Sequence, residues 1–403
     1  MAKTHVVNIA QNIYLLRIDD DRVRYFEALW EIPEGITYNA YFIDTGEKKI
    51  LIDTWKHVYS REFIEVLRGI VDLKDIDYII VNHMEPDHSG SLPIVLEENN
   101  YRATVLGHPM ALSMINSFYG VKPKTRPVKD GETLAIGDAT LTFVYTPWLH
   151  WPETIMTYYH NEHILFSGDA FGSFGIPGKI FDEEDEAAKI TPFVRKYFTT
   201  IIGFYRGWVV KAIDKLAGQN LKIDMIAPAH GLVWKHNPMF IVDYYRRLAL
   251  MEPVGRKVVV IYSSMYGFID KAVGKCVEEL KRNGVEVVVF KFTDTVHDRL
   301  SDLLSEINDA SGLVVATATY EAGVFPLIKY IVELIARKVK ARKPALVLAA
   351  YGWGGVAGKK IGEMLGKAGY DVVGVVEFKS GLTGDTEKLI VQHVKTLVEK
   401  ISG

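Results

Sequence analysis

Four side chains that can hold a metal ion fall within six residues: His83, Glu85, Asp87 and His88, in the run NHMEPDHSG. They stand directly behind Tyr78–Val81, an apolar stretch that reads as a buried strand. A single histidine in such a place is most often a hydrogen-bonded loop residue. Four His and carboxylate groups packed together repel one another unless a cation neutralises them. Pro86 interrupts regular structure, so the run is expected to be a loop at a strand end. Three further candidates occupy the same kind of position: His150 in TPWLHWPET, Asp169 in ILFSGDAFG and His230 in IDMIAPAHG.

These groups suffice for two metals. With Asp169 as the bridge, His83, Glu85 and His150 complete one set, and Asp87, His88 and His230 complete the other. Each metal then keeps open positions for a bridging solvent and a substrate, and three carboxylates with a hydroxide balance two divalent ions. Imidazole suits zinc, iron and manganese, and added carboxylate favours harder, redox-active metals. The competing reading is zinc-dependent hydrolysis. Tyr197, in VRKYFTT, and Trp151, beside His150, are candidates to stand next to the metals, with aromatic core packing as the plainer role. Asp53, in LIDT, reads as a supporting group and not a ligand. His57, His108, His236 and His297 read as surface or structural residues.

A second chemistry is written after residue 257. The apolar run Val258–Tyr262 leads into Ser263, Ser264, Met265, Tyr266, Gly267 and Phe268, and then into a helix. Hydroxyls and backbone N–H groups ahead of a helix N-terminus cradle an anion. The segment is not Gly-x-Gly-x-x-Gly and not Gly-x-x-x-x-Gly-Lys-[Ser/Thr], so a mononucleotide phosphate fits better than a dinucleotide. Two more strand-end loops pair aromatics with small residues: Ala318, Thr319, Tyr320, Glu321, Ala322 and Gly323, then Tyr351, Gly352, Trp353, Gly354 and Gly355. That mixture lets a flat ring approach the backbone and stack.

The elements that must position these groups differ between the two halves. From Val258 onward five apolar strands alternate with five helices, which predicts a doubly wound parallel sheet with its ligand at the strand carboxyl ends. The first 250 residues carry successive short strands with fewer helices, among them one long helix expected over Ile190–Ala217, so mixed sheets flanked by helices are expected. The boundary falls in MEPVGRK, giving domains 1–252 and 253–403. The halves also differ in charge: residues 251–403 hold 21 basic against 18 acidic residues, residues 1–250 hold 26 against 32.

Composition closes off several classes. With 48% hydrophobic and 24% charged residues the chain is neither disordered nor low-complexity. A net charge of −3 shows no bias toward nucleic acid, and no apolar stretch approaches the ~18 residues of a membrane span. The N-terminal segment lacks a signal layout. Cys276 is the only cysteine, which excludes an intrachain disulfide, a rubredoxin-type iron site and a cysteine-held iron–sulfur cluster within the chain. It reads as a small apolar residue of an amphipathic helix, and a cytoplasmic protein is expected.

His-x-[His/Glu]-x-Asp-His followed by His, Asp and His resembles the metallo-β-lactamase fold. Its hydrolases carry His at the third position, where this chain has Glu85. That change, with LWEIPEGITYNAY at Leu29–Tyr41, HMEPDHSGSLP, TPWLHWPET, PAHGLVW and the flavodoxin-like second half, is similar to the flavodiiron (A-type flavoprotein) family over nearly the whole chain. The resemblance implies a metallo-β-lactamase-like αββα sandwich followed by a flavodoxin-like domain. Its ligand set maps onto His83, Glu85, Asp87, His88, His150, Asp169 and His230. FMN would lie among the three loops, although Phe268 stands where flavodoxins usually carry Thr or Ser. The family's cofactors, FMN and two irons per subunit, imply reduction of dioxygen to water, with nitric oxide as the alternative substrate, and a role in protecting an anaerobe from oxygen. The resemblance further implies a head-to-tail homodimer or dimer of dimers. It also implies an external electron donor, reduced rubredoxin or a reduced deazaflavin coenzyme. A zinc hydrolase with an appended flavodoxin domain and a plain FMN electron carrier are the competing readings.

Overall fold

The strands Ile13–Asp20 and Ile36–Asp44 pair antiparallel and are buried along nearly their whole length on both faces. In the computed structural model, which describes residues 2–402, they sit inside a seven-stranded sheet. Its order is Lys3–Ala10, Ile13–Asp20, Ile36–Asp44, Lys49–Ile52, Tyr78–Val81, Thr104–Gly107 and Lys124–Pro127. Pairing is antiparallel up to Lys49–Ile52 and parallel beyond it. A second sheet of five strands runs Thr133–Ile136, Ala139–Tyr145, Ile155–Tyr159, Ile164–Gly168 and Met225–Pro228. One core cluster joins them: Ile13, Leu15, Tyr41, Ile43 and Ile80 of the first sheet pack with Leu141, Phe143, Ile155 and Phe166 of the second. Each such fully buried aliphatic side chain contributes roughly 1.5–3 kcal/mol.

The second compact unit, Arg247–Gly403, is built on five parallel strands, with the short strand Gly323–Val324 added antiparallel to Gly312–Tyr320. Its order is Glu286–Thr293, Lys257–Ser264, Gly312–Tyr320, Pro344–Tyr351 and Asp371–Lys379, the 2-1-3-4-5 arrangement of a flavodoxin. Val258, Val260, Val314, Leu346 and Leu348 form its core against Ala272, Cys276 and Leu280 of helix Phe268–Arg282 and Ile390 and Val394 of helix Gly384–Ser402.

Two local expectations fail for identifiable reasons. The long helix expected over Ile190–Ala217 is broken. An α-helix Glu184–Tyr197 passes into a π-turn Phe198–Ile202 and a tight turn Gly203–Tyr205 before helix Arg206–Gly218 resumes. The hydroxyls of Thr199 and Thr200 donate back to the carbonyls of Arg195 and Lys196, competing with the regular ladder. The run after His83 is not wholly loop. Pro86–Ser89 forms a helical turn whose first position is Pro86, where a missing N–H costs nothing. Several edge strands also went unanticipated, among them Lys3–Ala10, Lys124–Pro127 and Thr133–Ile136.

Candidate functional site

The strand Tyr78–Val81 delivers Asn82 to its carboxyl end, and Asn82 ties the two sheets together. Its carbonyl accepts from Ile155 N (2.9 Å) and its side-chain oxygen from Thr157 Oγ1 (2.7 Å). Its own N–H donates to Asp53 Oδ1 (2.8 Å). Asp53 therefore braces the segment that precedes His83, and burial pushes its carboxyl up to about 6 against the opposing influence of His88 and the Asn82 N–H. Gly90 closes the helical turn that carries Asp87 and His88. A Cβ there would meet Pro86 O at 2.4 Å and His57 N at 2.5 Å, so only glycine fits.

The seven candidate groups converge. His83, Glu85, His150 and Asp169 form one set and Asp87, His88 and His230 another, with the ligand atoms of each set within 4.8 Å of one another. Asp169 faces both. Its Oδ2 lies 3.3 Å from His83 Nε2 and 3.5 Å from His150 Nε2, and its Oδ1 lies 2.9 Å from His88 Nε2 and 3.3 Å from His230 Nε2. Glu85 Oε2 reaches His150 Nε2 at 2.7 Å, and Asp87 Oδ2 lies 3.4 Å from both His88 and His230. His230 Nδ1 stands 2.6 Å from the Thr37 carbonyl, which can only accept, so Nδ1 donates and the Nε2 lone pair faces the carboxylates.

The electrostatics show what this cluster lacks. Burial alone would depress His83, His150 and His230, yet the surrounding carboxylates outweigh it and raise all three, His230 to about 10. Burial would raise Glu85 and Asp169, and the histidines hold both below the ordinary range. Both oxygens of Asp87, Asp169 Oδ2 and His230 Nε2 are buried without a hydrogen-bond partner. Buried polar atoms left this way are costly, and divalent cations between the two sets would satisfy them. The donor set fits iron.

Two aromatics flank the cluster. Tyr197 Oη donates to Asp169 Oδ1 at 2.9 Å, and its position at the junction with the π-turn aims it there. Trp151 stands edge-on to the His83 ring, 5.0 Å between centroids. Tyr197 thus touches the Asp169 carboxylate as well as packing against Phe174.

In the second unit a cavity of about 560 Å³ opens at the carboxyl ends of the first, third and fourth strands. Ser264, Met265, Tyr266, Phe268, Ala318, Thr319, Tyr320, Glu321, Ala322, Tyr351, Gly352, Trp353 and Gly354 line it. The remaining expected loop residues do not. Ser263 is buried and shares its hydroxyl with Thr317 at 3.0 Å. Gly267 starts the helix with φ +80°, its N–H donating to Ser264 Oγ at 3.2 Å. Gly323 pairs with Tyr320 in a hairpin, and Gly355 packs on the Tyr351 ring. Ile269, Ala350, Val356 and Ser380 also line the cavity and were not anticipated. Trp353 and Tyr266 are 97% and 83% exposed.

A family model described as ODP family beta lactamase matches residues 36–231, and a flavodoxin model matches residues 260–393. The chain is 32% identical over 370 residues to a nitric oxide reductase of Moorella thermoacetica, covering 91% of each. A solved variant of the flavo di-iron protein of Thermotoga maritima is 39% identical and superposes over 100% of each chain with a TM-score of 0.94. The chain belongs to the flavodiiron protein family. The rubredoxin oxygen:oxidoreductase of Desulfovibrio gigas is 27% identical, covers 99% of each chain and has a TM-score of 0.93.

A flavodiiron protein is an oxidoreductase, which sets aside the zinc-hydrolase and plain electron-carrier readings. Its cofactors are FMN, in the flavodoxin fold, and a di-iron site. Glu153, quoted only as part of the motif TPWLHWPET, is the group that residue-by-residue reading passed over. It is fully buried and its carboxylate lies 2.9 Å from His83 Nδ1. No helix among the described residues is long and apolar enough to cross a membrane.

Proposed function

We propose that this flavodiiron protein reduces dioxygen to water, with residues 1–252 holding two irons and residues 253–403 holding FMN. The observation that supports it most directly is the placement of Asp169, whose two oxygens each face one set of candidate ligands. His83, Glu85 and His150 would hold one iron, Asp87, His88 and His230 the other, and Asp169 would bridge them. When bound, two ferrous ions and reduced FMN supply the four electrons that convert dioxygen and four protons into two waters.

The chain's own residues prepare the site for that chemistry. Thr37 and Glu153 orient the rings of His230 and His83. Tyr197 holds a buried hydroxyl on the bridging carboxylate. Trp151, Phe26 and Phe174 pack around the histidines and Tyr197 and keep bulk water from the buried charges. In the cavity of the second unit, Ser264 and the helix start at Phe268 would take the FMN phosphate, and Tyr320, Tyr351 and Trp353 would flank the ring. Electrons would come from an external donor, reduced rubredoxin or a reduced deazaflavin coenzyme. The working form would be a cytoplasmic head-to-tail homodimer or dimer of dimers, so dilution to monomers should lower activity.

The test is anaerobic protein, loaded with FMN and iron, in an electrode cell with each donor in separate runs. Consumption of dioxygen faster than nitric oxide supports the reading. Faster nitric oxide consumption replaces it with reduction of two nitric oxides to nitrous oxide, a reading favoured by the name of the Moorella relative. Failure with both gases and both donors, with cofactors verified, overturns both.

A further inference from the structure

The three histidines with resolved outer-nitrogen environments are not supported alike. His83 Nδ1 lies 2.9 Å from Glu153 Oε1, a carboxylate with no solvent exposure. The same oxygen accepts Met84 N–H at 3.1 Å, so it is an acceptor and the imidazole is the donor. His230 Nδ1 instead donates to a neutral carbonyl, that of Thr37. His88 Nδ1 is buried with no hydrogen-bond partner. One set therefore has an anion behind a histidine, and the other has a peptide dipole and nothing.

We propose that Glu153 is a positioning residue that makes the two metal sites unequal, giving the His83–Glu85–His150 site the tighter and more electron-rich metal. A carboxylate accepting the outer N–H fixes the tautomer, aims the Nε2 lone pair inward and strengthens it as a donor. His83 Nε2 does face inward, 3.3 Å from both Glu85 Oε2 and Asp169 Oδ2. A carbonyl does the same more weakly, and an unpartnered nitrogen does not do it at all. Glu153 also ties two chain segments, since it stands on the TPWLHWPET stretch and holds Met84 beside His83. A purely structural brace would need only those hydrogen bonds. The inequality needs the charge.

The proposal rests on the two-metal reading above, and the two can fail separately. Full-length protein with FMN is loaded anaerobically with ⁵⁷Fe, as wild type, Glu153→Gln and Glu153→Ala. Glu153→Gln keeps an acceptor for the imidazole and for Met84 N–H but removes the charge. The expected result is that both irons remain in Glu153→Gln while one of two ferrous Mössbauer doublets moves and the other stays. In Glu153→Ala one iron should be released to a chelator about 10–100-fold more readily, the usual cost of losing such a partner. Unchanged doublets in Glu153→Gln, or equal movement of both, would overturn the proposal even if activity fell. So would loss of both irons together from a folded Glu153→Ala. If Glu153→Ala does not fold, the Glu153→Gln spectrum decides alone. A wild type that binds no iron overturns the metal reading, and this proposal with it.

Discussion

Where the first half gathers its chemistry, it gathers buried charges. Asp87, Asp169, His83 and His230 are all at most 6% exposed, come from three strand ends and face one another directly. Where the second half gathers its chemistry, it offers an open cavity walled by loop backbone and by aromatics such as Trp353, 97% exposed. The first arrangement is electrostatically incomplete without cations, whereas the second is a finished fold with a surface that a ring can cover. Ligand binding and folding should therefore be tightly linked in one half and only loosely linked in the other.

The sharpest way to break this contrast is at Asp169, the group that faces both sets of candidate ligands. Asp169→Ala should lower gas consumption more than about 100-fold, beyond the 10–100-fold typical of losing an outer partner. Iron should fall below one per chain while FMN content stays at the wild-type level. Retention of two irons in that variant would refute the bridging role. Metal removal is the next largest effect. Stripping iron should lower the unfolding temperature of the first unit by ~10 °C or more, since each kcal/mol of lost binding energy is worth about 2–4 °C at this size. Calorimetry would show the flavodoxin unit unmoved, and equal shifts in both units would contradict the contrast.

The same contrast explains what could be read without a structure. His and carboxylate residues behind apolar strands stand out in any sequence, so the candidates His83, Glu85, Asp87, His88, His150, Asp169 and His230 were legible from their placement. Glu153 was not, because a single glutamate after a proline looks like surface, and only the fold turns it inward onto His83. The five strands of the flavodoxin unit were legible because each carries a short apolar, β-branched stretch, such as Val258–Ile261 and Val287–Phe290, between helical patterns. Lys124–Pro127 (KTRP) and Thr133–Ile136 (TLAI) were not, because edge strands need little apolar character to pair. Pro86 misled because a proline that starts a helical turn looks the same in sequence as one that prevents it. In the flavin loops the sequence cannot tell a lining residue from a supporting one. Ser263 and Ser264 are adjacent, yet one hydroxyl is held by Thr317 and the other residue lines the cavity.

A smaller effect sharpens the second half of the comparison. Trp353→Ala should weaken FMN binding roughly 2- to 10-fold, the ~0.5–1.5 kcal/mol of a stacked aromatic pair. Because Trp353 makes so little contact with the rest of its unit, the apoprotein's unfolding temperature should not change. Fluorescence titration and calorimetry together check this. A destabilised apoprotein would mean that the cavity wall is part of the core after all.

The smallest expected effect lies in that core. Cys276 is fully buried on helix Phe268–Arg282, and burial pushes its thiol up to about 12. At neutral pH it is protonated both folded and unfolded, so it contributes nothing to pH dependence there. Above about 9 the unfolded chain releases this proton and the folded chain does not, so stability must fall as pH rises. At pH 10 the loss attributable to this one group is on the order of 1 kcal/mol. Cys276→Ala should flatten the stability profile between pH 9 and 11 by about that amount. It will also cost some packing at every pH, and that cost appears as a constant offset. Native protein should resist thiol reagents at pH 8 and react fully once unfolded. Rapid labelling of the folded protein would show that the flavodoxin unit opens far more readily than its packed core implies.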